Sequence, residues 1–174
     1  MDLLANKLKK KMKPRGPAGP RGRREPLDFT GSTLTPGTSL GISVGSEAFG
    51  YVFQIGPQTI AVGAPVLFSN NGPINGINHI AGRDSIEITL DGTYNITFSV
   101  YTTNNNPQDW AIAVNGVNTA RFNSAGQSIT GTTSLNLNKG DRVTLRNVNT
   151  SPDPATLRST DTITAYVLIY KISA

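Results

Sequence analysis

The chain of 174 residues has no cysteine and one histidine, His79. Without thiols there is no disulfide framework, no thiolate metal site and no cysteine nucleophile. One imidazole rules out a His-based metal cluster, and a Ser-His-Asp triad would have to recruit that single side chain. Charged residues make up only 16% and tryptophan occurs once, at Trp110. No apolar run is long enough for a transmembrane helix. The leucines near the start precede their positive charges, and neither an apolar h-region nor a small-residue cleavage site follows. The chain is therefore expected to begin its life in the cytoplasm of the cell that makes it.

Acidic residues are scarce at one end. Residues 1–25 carry nine of the 16 Lys and Arg against two acids, about +7, leaving about −2 on residues 26–174. The chain reads as a basic arm on a mildly acidic body. A nucleic-acid-binding body would carry its own basic face, so no nucleic-acid partner is expected.

What is abundant is Gly, at 18 residues, and Pro, at 11, with much Asn, Ser and Thr, a composition of short strands and tight turns. Residues 1–15 form the basic arm. Leu4, Leu8 and Met12 recur every fourth residue on one side of a candidate short helix, beside Lys9, Lys10, Lys11 and Arg15. Residues 16–24 are three Gly-X-Y triplets, led by Gly16, Gly19 and Gly22, with Pro at X in the first two. Such triplets suit the crowded axis of a collagen triple helix, but nine residues span only about 27 Å, a connector rather than a stalk. Residues 25–47 are a Gly/Ser/Thr/Pro linker in which Leu40, Ile42 and Val44 alternate.

Residues 48–174 read as eight to ten short strands. Phe49, Tyr51 and Phe53 alternate, and Gln58–Val62 and the run Pro65–Phe68 follow. Ser69–Gly76 reads as an Asn-Gly-rich turn, and Asp91-Gly92 as a hairpin signal between two alternating runs. Asn115-Gly116 and Asn138–Asp141 mark further turns. The last run, Thr162–Ile172, puts Ile163, Ala165, Val167 and Ile169 on one face and Tyr166, Leu168, Tyr170 and Ile172 on the other. A strand apolar on both faces needs cover on both. The pattern predicts an all-β, two-sheet antiparallel jelly roll whose last strand is covered between sheets or at a subunit interface, with Tyr51, Phe53, Tyr166 and Tyr170 as the interface candidates.

No constellation of chemistry emerges, and no catalytic residue or cofactor is assigned. Asp84, Glu87, Asp91, Asp109 and Asp153 adjoin turn residues and read as solvated. Asp109, Asp153 and Asp161 are the candidates for a Ca²⁺ where loops of three chains meet, but they lack ligand spacing. Trp110 follows the polar loop Thr102–Asp109. It reads as an anchor of the next strand, with stacking on a sugar as the rival role. The sequon Asn95-Ile96-Thr97 lies inside a predicted strand, and a second sequon begins at Asn149.

Three strings carry a resemblance: Gly92-Thr93-Tyr94-Asn95-Ile96-Thr97-Phe98, then Leu137–Leu145 with its Gly140-Asp141 turn, then Ala165–Tyr170. In order, they resemble the tumour necrosis factor and complement globular-head superfamily. Within it, they look most like the C-terminal domains of collagen-like glycoproteins of Bacillus spore surfaces. The resemblance implies a ten-stranded jelly roll in a tight homotrimer, without catalysis, and Tyr94, Phe98, Val143 and Leu145 facing the core. It implies a structural subunit of a spore-surface fibre, appendage or exosporium layer, assembled from the mother-cell cytoplasm. Partners would be the chain itself, as trimers joined head to tail through the arm, and an anchoring spore-surface protein. Spore-surface relatives carry long collagen stalks, whereas three triplets suit a fibre junction better. A phage tail-fibre tip and a sugar- or receptor-binding module are the alternatives.

Overall fold

The computed structural model describes residues 48–150, 154–159 and 161–173. The arm and triplet residues Leu4, Leu8, Lys9, Lys10, Lys11, Met12, Arg15, Gly16, Gly19 and Gly22, and the 25–47 linker, lie outside the described residues. Within them the chain is all-β. In chain order the strands are β1 (Phe49–Ile55), β2 (Thr59–Ile60), β3 (Asn70–Asn75), β4 (Ile77–Asn78), β5 (Ile86–Ile88) and β6 (Gly92–Tyr101). There follow β7 (Gln108–Val114), β8 (Val117–Ser124), β9 (Ser128–Leu137), β10 (Arg142–Asn147), β11 (Ala155–Thr156) and β12 (Ile163–Ser173). The first sheet runs β3-β1-β12-β6-β9 and the second β4-β5-β10-β7-β8, while β2 and β11 pair apart. Every pairing is antiparallel. The expected two-sheet jelly roll is the observed architecture.

Side-chain alternation explains why the sheets stack. Along β1 and β6 the even-numbered residues turn inward, and along β12 the odd-numbered ones do. Val52, Tyr94, Ile96, Phe98, Val100, Ala165, Val167 and Ile169 are thereby completely buried. The second sheet answers with Ile86, Ile88, Trp110, Ile112, Val143 and Leu145, also without exposure. Burying such side chains stabilises by about 1.5–3 kcal/mol each. The Tyr94 hydroxyl is satisfied by donating to the Leu90 carbonyl at 2.7 Å.

The turns divide into those that join neighbours and those that cross between sheets. Asn115 and Gly116, with φ of 51° and 86°, make the two-residue β7–β8 hairpin, which needs positive φ at both positions. Asp91-Gly92 is not a hairpin: β5 lies in the second sheet and β6 in the first. Gly92 is instead demanded by crowding, since a Cβ there would stand 2.5 Å from the Ser173 carbonyl oxygen and from Lys171. Ser69–Gly76 is not a turn either. The exposed edge of β1 recruits it as β3, with Phe49 opposite Asn75 and Val52 opposite Asn71. A flat Asn-Gly-Pro string suits an edge strand that packs on only one side. Gln58–Val62 shrinks to the two residues of β2.

Phe49 lies opposite Tyr170, and Thr93 opposite Ser173. The first strand thus begins where the last one ends, at one end of the sandwich, here termed the base. The opposite end, the apex, carries the loops 102–107 and 125–127 and the stretch leading into β12.

Gly131 on β9 sits over two rings. A Cβ would approach Phe98 to 2.6 Å and Phe122 to 2.7 Å, and these rings already meet edge-to-face at 5.1 Å. Gly131→Ala should destabilise the body by about 1–3 kcal/mol, read as a lower midpoint in denaturant without a change in slope. An unchanged midpoint would mean that the two rings can part freely.

Candidate functional site

The outward face of the first sheet concentrates what the body has to offer. On β1, Tyr51 and Phe53 point away from the core. On β12, Tyr166, Leu168 and Tyr170 do the same, because the alternation that buries their neighbours sends them outward. The register sets Phe53 opposite Tyr166 and Tyr51 opposite Leu168. The rings of Tyr51 and Phe53 stack at 5.2 Å, and Tyr51 and Tyr166 lie 5.7 Å apart. Leu168 is 38% exposed, Tyr170 37% and Ile172 52%. The four residues singled out from sequence, Tyr51, Phe53, Tyr166 and Tyr170, therefore share one face.

The other half of this face is polar. Across β6 and β9 the outward residues form a ladder. Thr93 donates to the Asn136 side chain at 2.8 Å, and Asn95 to the Ser134 hydroxyl at 3.3 Å. Thr97 and Thr132 hydroxyls bond at 2.9 Å, and Ser99 bonds Thr130. The signal for this ladder was present in the alternating Thr, Asn and Ser of Gly92–Tyr101 and Ser128–Leu137. Apolar alternation alone does not register such a ladder.

At the apex end of the face is a pocket of about 400 Å³ lined by Tyr51, Tyr101, Tyr166, Arg158 and residues 162–164. Sequence reasoning missed Tyr101 and Arg158. Nothing local ties Arg158 to this face; the adjoining ends of β6 and β9 hold it there, its backbone amide donating to the Tyr101 carbonyl. Its guanidinium lies 5.9 Å from the Tyr101 ring centroid. Its Nε donates to the Thr102 carbonyl and Nη2 to Gln127 Oε1, both at 3.4 Å. Burial, then the neighbouring phenols of Tyr166 and Tyr101, push the Tyr51 hydroxyl above the usual tyrosine range.

The remaining candidates are placed differently. Trp110 is completely buried, so it anchors its strand and cannot stack on a sugar. His79 sits beside Arg83 and Asp84. Its ring nitrogens face the Asn71 side-chain oxygen and the Arg83 carbonyl, and desolvation lowers its pKa. Asp109 accepts from the Asn123 amide at 2.5 Å. Asp161 is exposed, and Asp153 lies outside the described residues. No group of three or more His, Cys, Asp or Glu is poised around a metal among the described residues. Asn95 lies within β6, and Asn149 is 6% exposed and accepts from the Asp109 amide, so both sequons are structurally engaged. Gly41-Ile42-Ser43-Val44-Gly45 fits the G-x-S-x-G string of serine hydrolases but lies outside the described residues.

This architecture is a jelly roll of tumour necrosis factor and C1q type. The globular domain of zebrafish complement 1qA aligns over 72% of this chain and 97% of its own, at 16% identity and a TM-score of 0.56. Murine APRIL aligns over 72% and 98%, at 12% identity and 0.56. PRD1 vertex protein P5 aligns over 74% and 99%, at 17% identity and 0.50. No family model and no curated protein matches the sequence. Among the described residues no helix is long and apolar enough to cross a membrane.

A raised Tyr51 pKa means that the folded chain holds the phenol proton more tightly than the unfolded chain does. Its contribution to stability is full below the ordinary phenol value near about 10 and is lost as pH rises through the higher folded value. In an alkaline ultraviolet titration, Tyr51→Phe should remove one late phenolate step. Loss of an early step instead would show that the Tyr51 hydroxyl is not shielded.

Proposed function

We propose that the chain is a non-enzymatic structural subunit of a spore-surface fibre, appendage or exosporium layer, assembled as homotrimers that join head to tail through the N-terminal arm. The observation that carries the trimer is the uncovered aromatic face of the first sheet. The body's central strand presents Tyr166, Leu168, Tyr170 and Ile172 to solvent in the single chain, beside Tyr51 and Phe53. A contiguous apolar stripe of this kind marks a contact surface. A second copy is the occupant that fits, because each chain brings both an aromatic half and a polar half to the same face. Such a heterologous contact closes into a ring when the rotation permits.

The spore-surface placement is supported by the Gly-X-Y triplets upstream of a body with this fold. Head-to-tail joining is supported by the base–apex polarity. Strand β1 begins at the base, and the apex is the opposite end of the body. The apex is not an acidic socket, since its described charges are Asp109 and Asp161 against Arg121 and Arg158. Docking of the arm would then rest on its apolar stripe, Leu4, Leu8 and Met12, more than on charge. The likeness to a phage vertex protein favours the phage tail-fibre tip as the second reading, which genomic neighbours would separate.

Sedimentation of the intact protein should give three chains per particle at micromolar concentration, and Tyr166→Asp should shift it toward monomer. Negative-stain microscopy should show filaments that vanish when residues 1–25 are deleted, leaving folded trimers. A monomeric parent removes the assembly reading. Filaments that persist without the arm move the junction elsewhere.

A further inference from the structure

The apex-end pocket has a chemistry that subunit contact does not require. Its rim bears a guanidinium with no acidic partner among the described residues. Arg158 is held against Tyr101 by cation–π attraction and by two neutral acceptors, Thr102 O and Gln127 Oε1. That uses two of its five N–H donors and leaves three for a ligand. Tyr51, Tyr101 and Tyr166 line the same space. The volume, about 400 Å³, lies in the range of small-molecule sites. No Asp or Glu lines the pocket. The lining therefore favours an anion over a cation such as Ca²⁺.

We propose that this pocket binds a ring-bearing carboxylate of the acidic-sugar class. Arg158 takes the carboxylate, and the tyrosine rings take the apolar face of the sugar. Arginine is the side chain best suited to a planar carboxylate, because its donors lie in a fixed fork. Tyrosine rings offer broad contact at low entropic cost and a hydroxyl for the sugar's own. A phenol is un-ionised throughout the neutral range, so that hydroxyl remains a donor there. One chain supplies every lining residue, so the site does not need the trimer, although it shares Tyr51 and Tyr166 with the proposed contact face.

The test is calorimetric titration of the intact chain with glucuronate, glucose and acetate, alongside sedimentation of the same sample. Glucuronate should bind, and glucose and acetate should each bind more weakly. Arg158→Gln should weaken glucuronate roughly tenfold or more, the loss of one charge-assisted pair. Arg83→Gln, a charge removed elsewhere on the body, should match the parent. Circular dichroism identical to the parent confirms that each variant is folded. Glucuronate binding no tighter than glucose, or unaffected by Arg158→Gln, overturns the proposal. Acetate binding as well as glucuronate overturns the role of the rings. A monomer that still binds glucuronate sinks the trimer and keeps the pocket; a trimer that binds none does the reverse.

Discussion

The alternation of side chains along β12 holds the body together and also gives it an outside worth covering. Eleven residues run between β1 and β6 at the middle of the first sheet. Ala165, Val167 and Ile169 close the core, while Tyr166, Leu168 and Tyr170 turn away from it. A slip of one residue would exchange these sets, placing two phenols in a dry interior and leaving three core positions open to water. The register is fixed at both ends. Near the apex the Thr164 hydroxyl, itself buried, donates to the Gly56 carbonyl at 2.8 Å. At the base the Ser173 carbonyl packs so tightly on residue 92 that only glycine fits.

The division of the outward face follows from the same geometry. The aromatic half lies on strands whose inward positions are already filled with small or branched residues. The polar half lies on β6 and β9, where hydroxyl meets hydroxyl or amide rung by rung. Those rungs satisfy one another, so a surface laid over them strands few donors or acceptors. Isolated Ser or Thr side chains would impose a larger desolvation cost. A self-satisfied polar strip and an apolar strip are therefore both coverable, and they differ enough to set which half meets which.

How legible this was in the sequence varied with the range of the forces involved. Tyr94, Phe98, Val143 and Leu145, which the family resemblance sets in the core, are buried there, on strands whose alternation is local and strong. Asn115-Gly116 was read correctly because two positive φ angles in succession leave few residue choices. Asp91-Gly92 was misread because the same dipeptide also serves where a glycine meets a distant strand end, and the sequence carries no mark of which. Ser69–Gly76 was misread because its pairing is imposed by the free edge of β1 rather than by its own weak strand propensity. Arg158 was invisible for a similar reason: its neighbours Tyr101 and Gln127 come from elements far along the chain. Trp110 allowed two readings, and complete burial decided for the strand anchor.

The first strand of the body begins and the last one ends at the base, which gives the domain a directional anatomy. A passenger sequence grafted onto either of those strand ends would emerge on the same side. One spliced into the loop at 102–107 or 125–127 would look the opposite way. The domain thus behaves as a mounting plate, with the ends of its first and last strands on one side and the apical loops on the other.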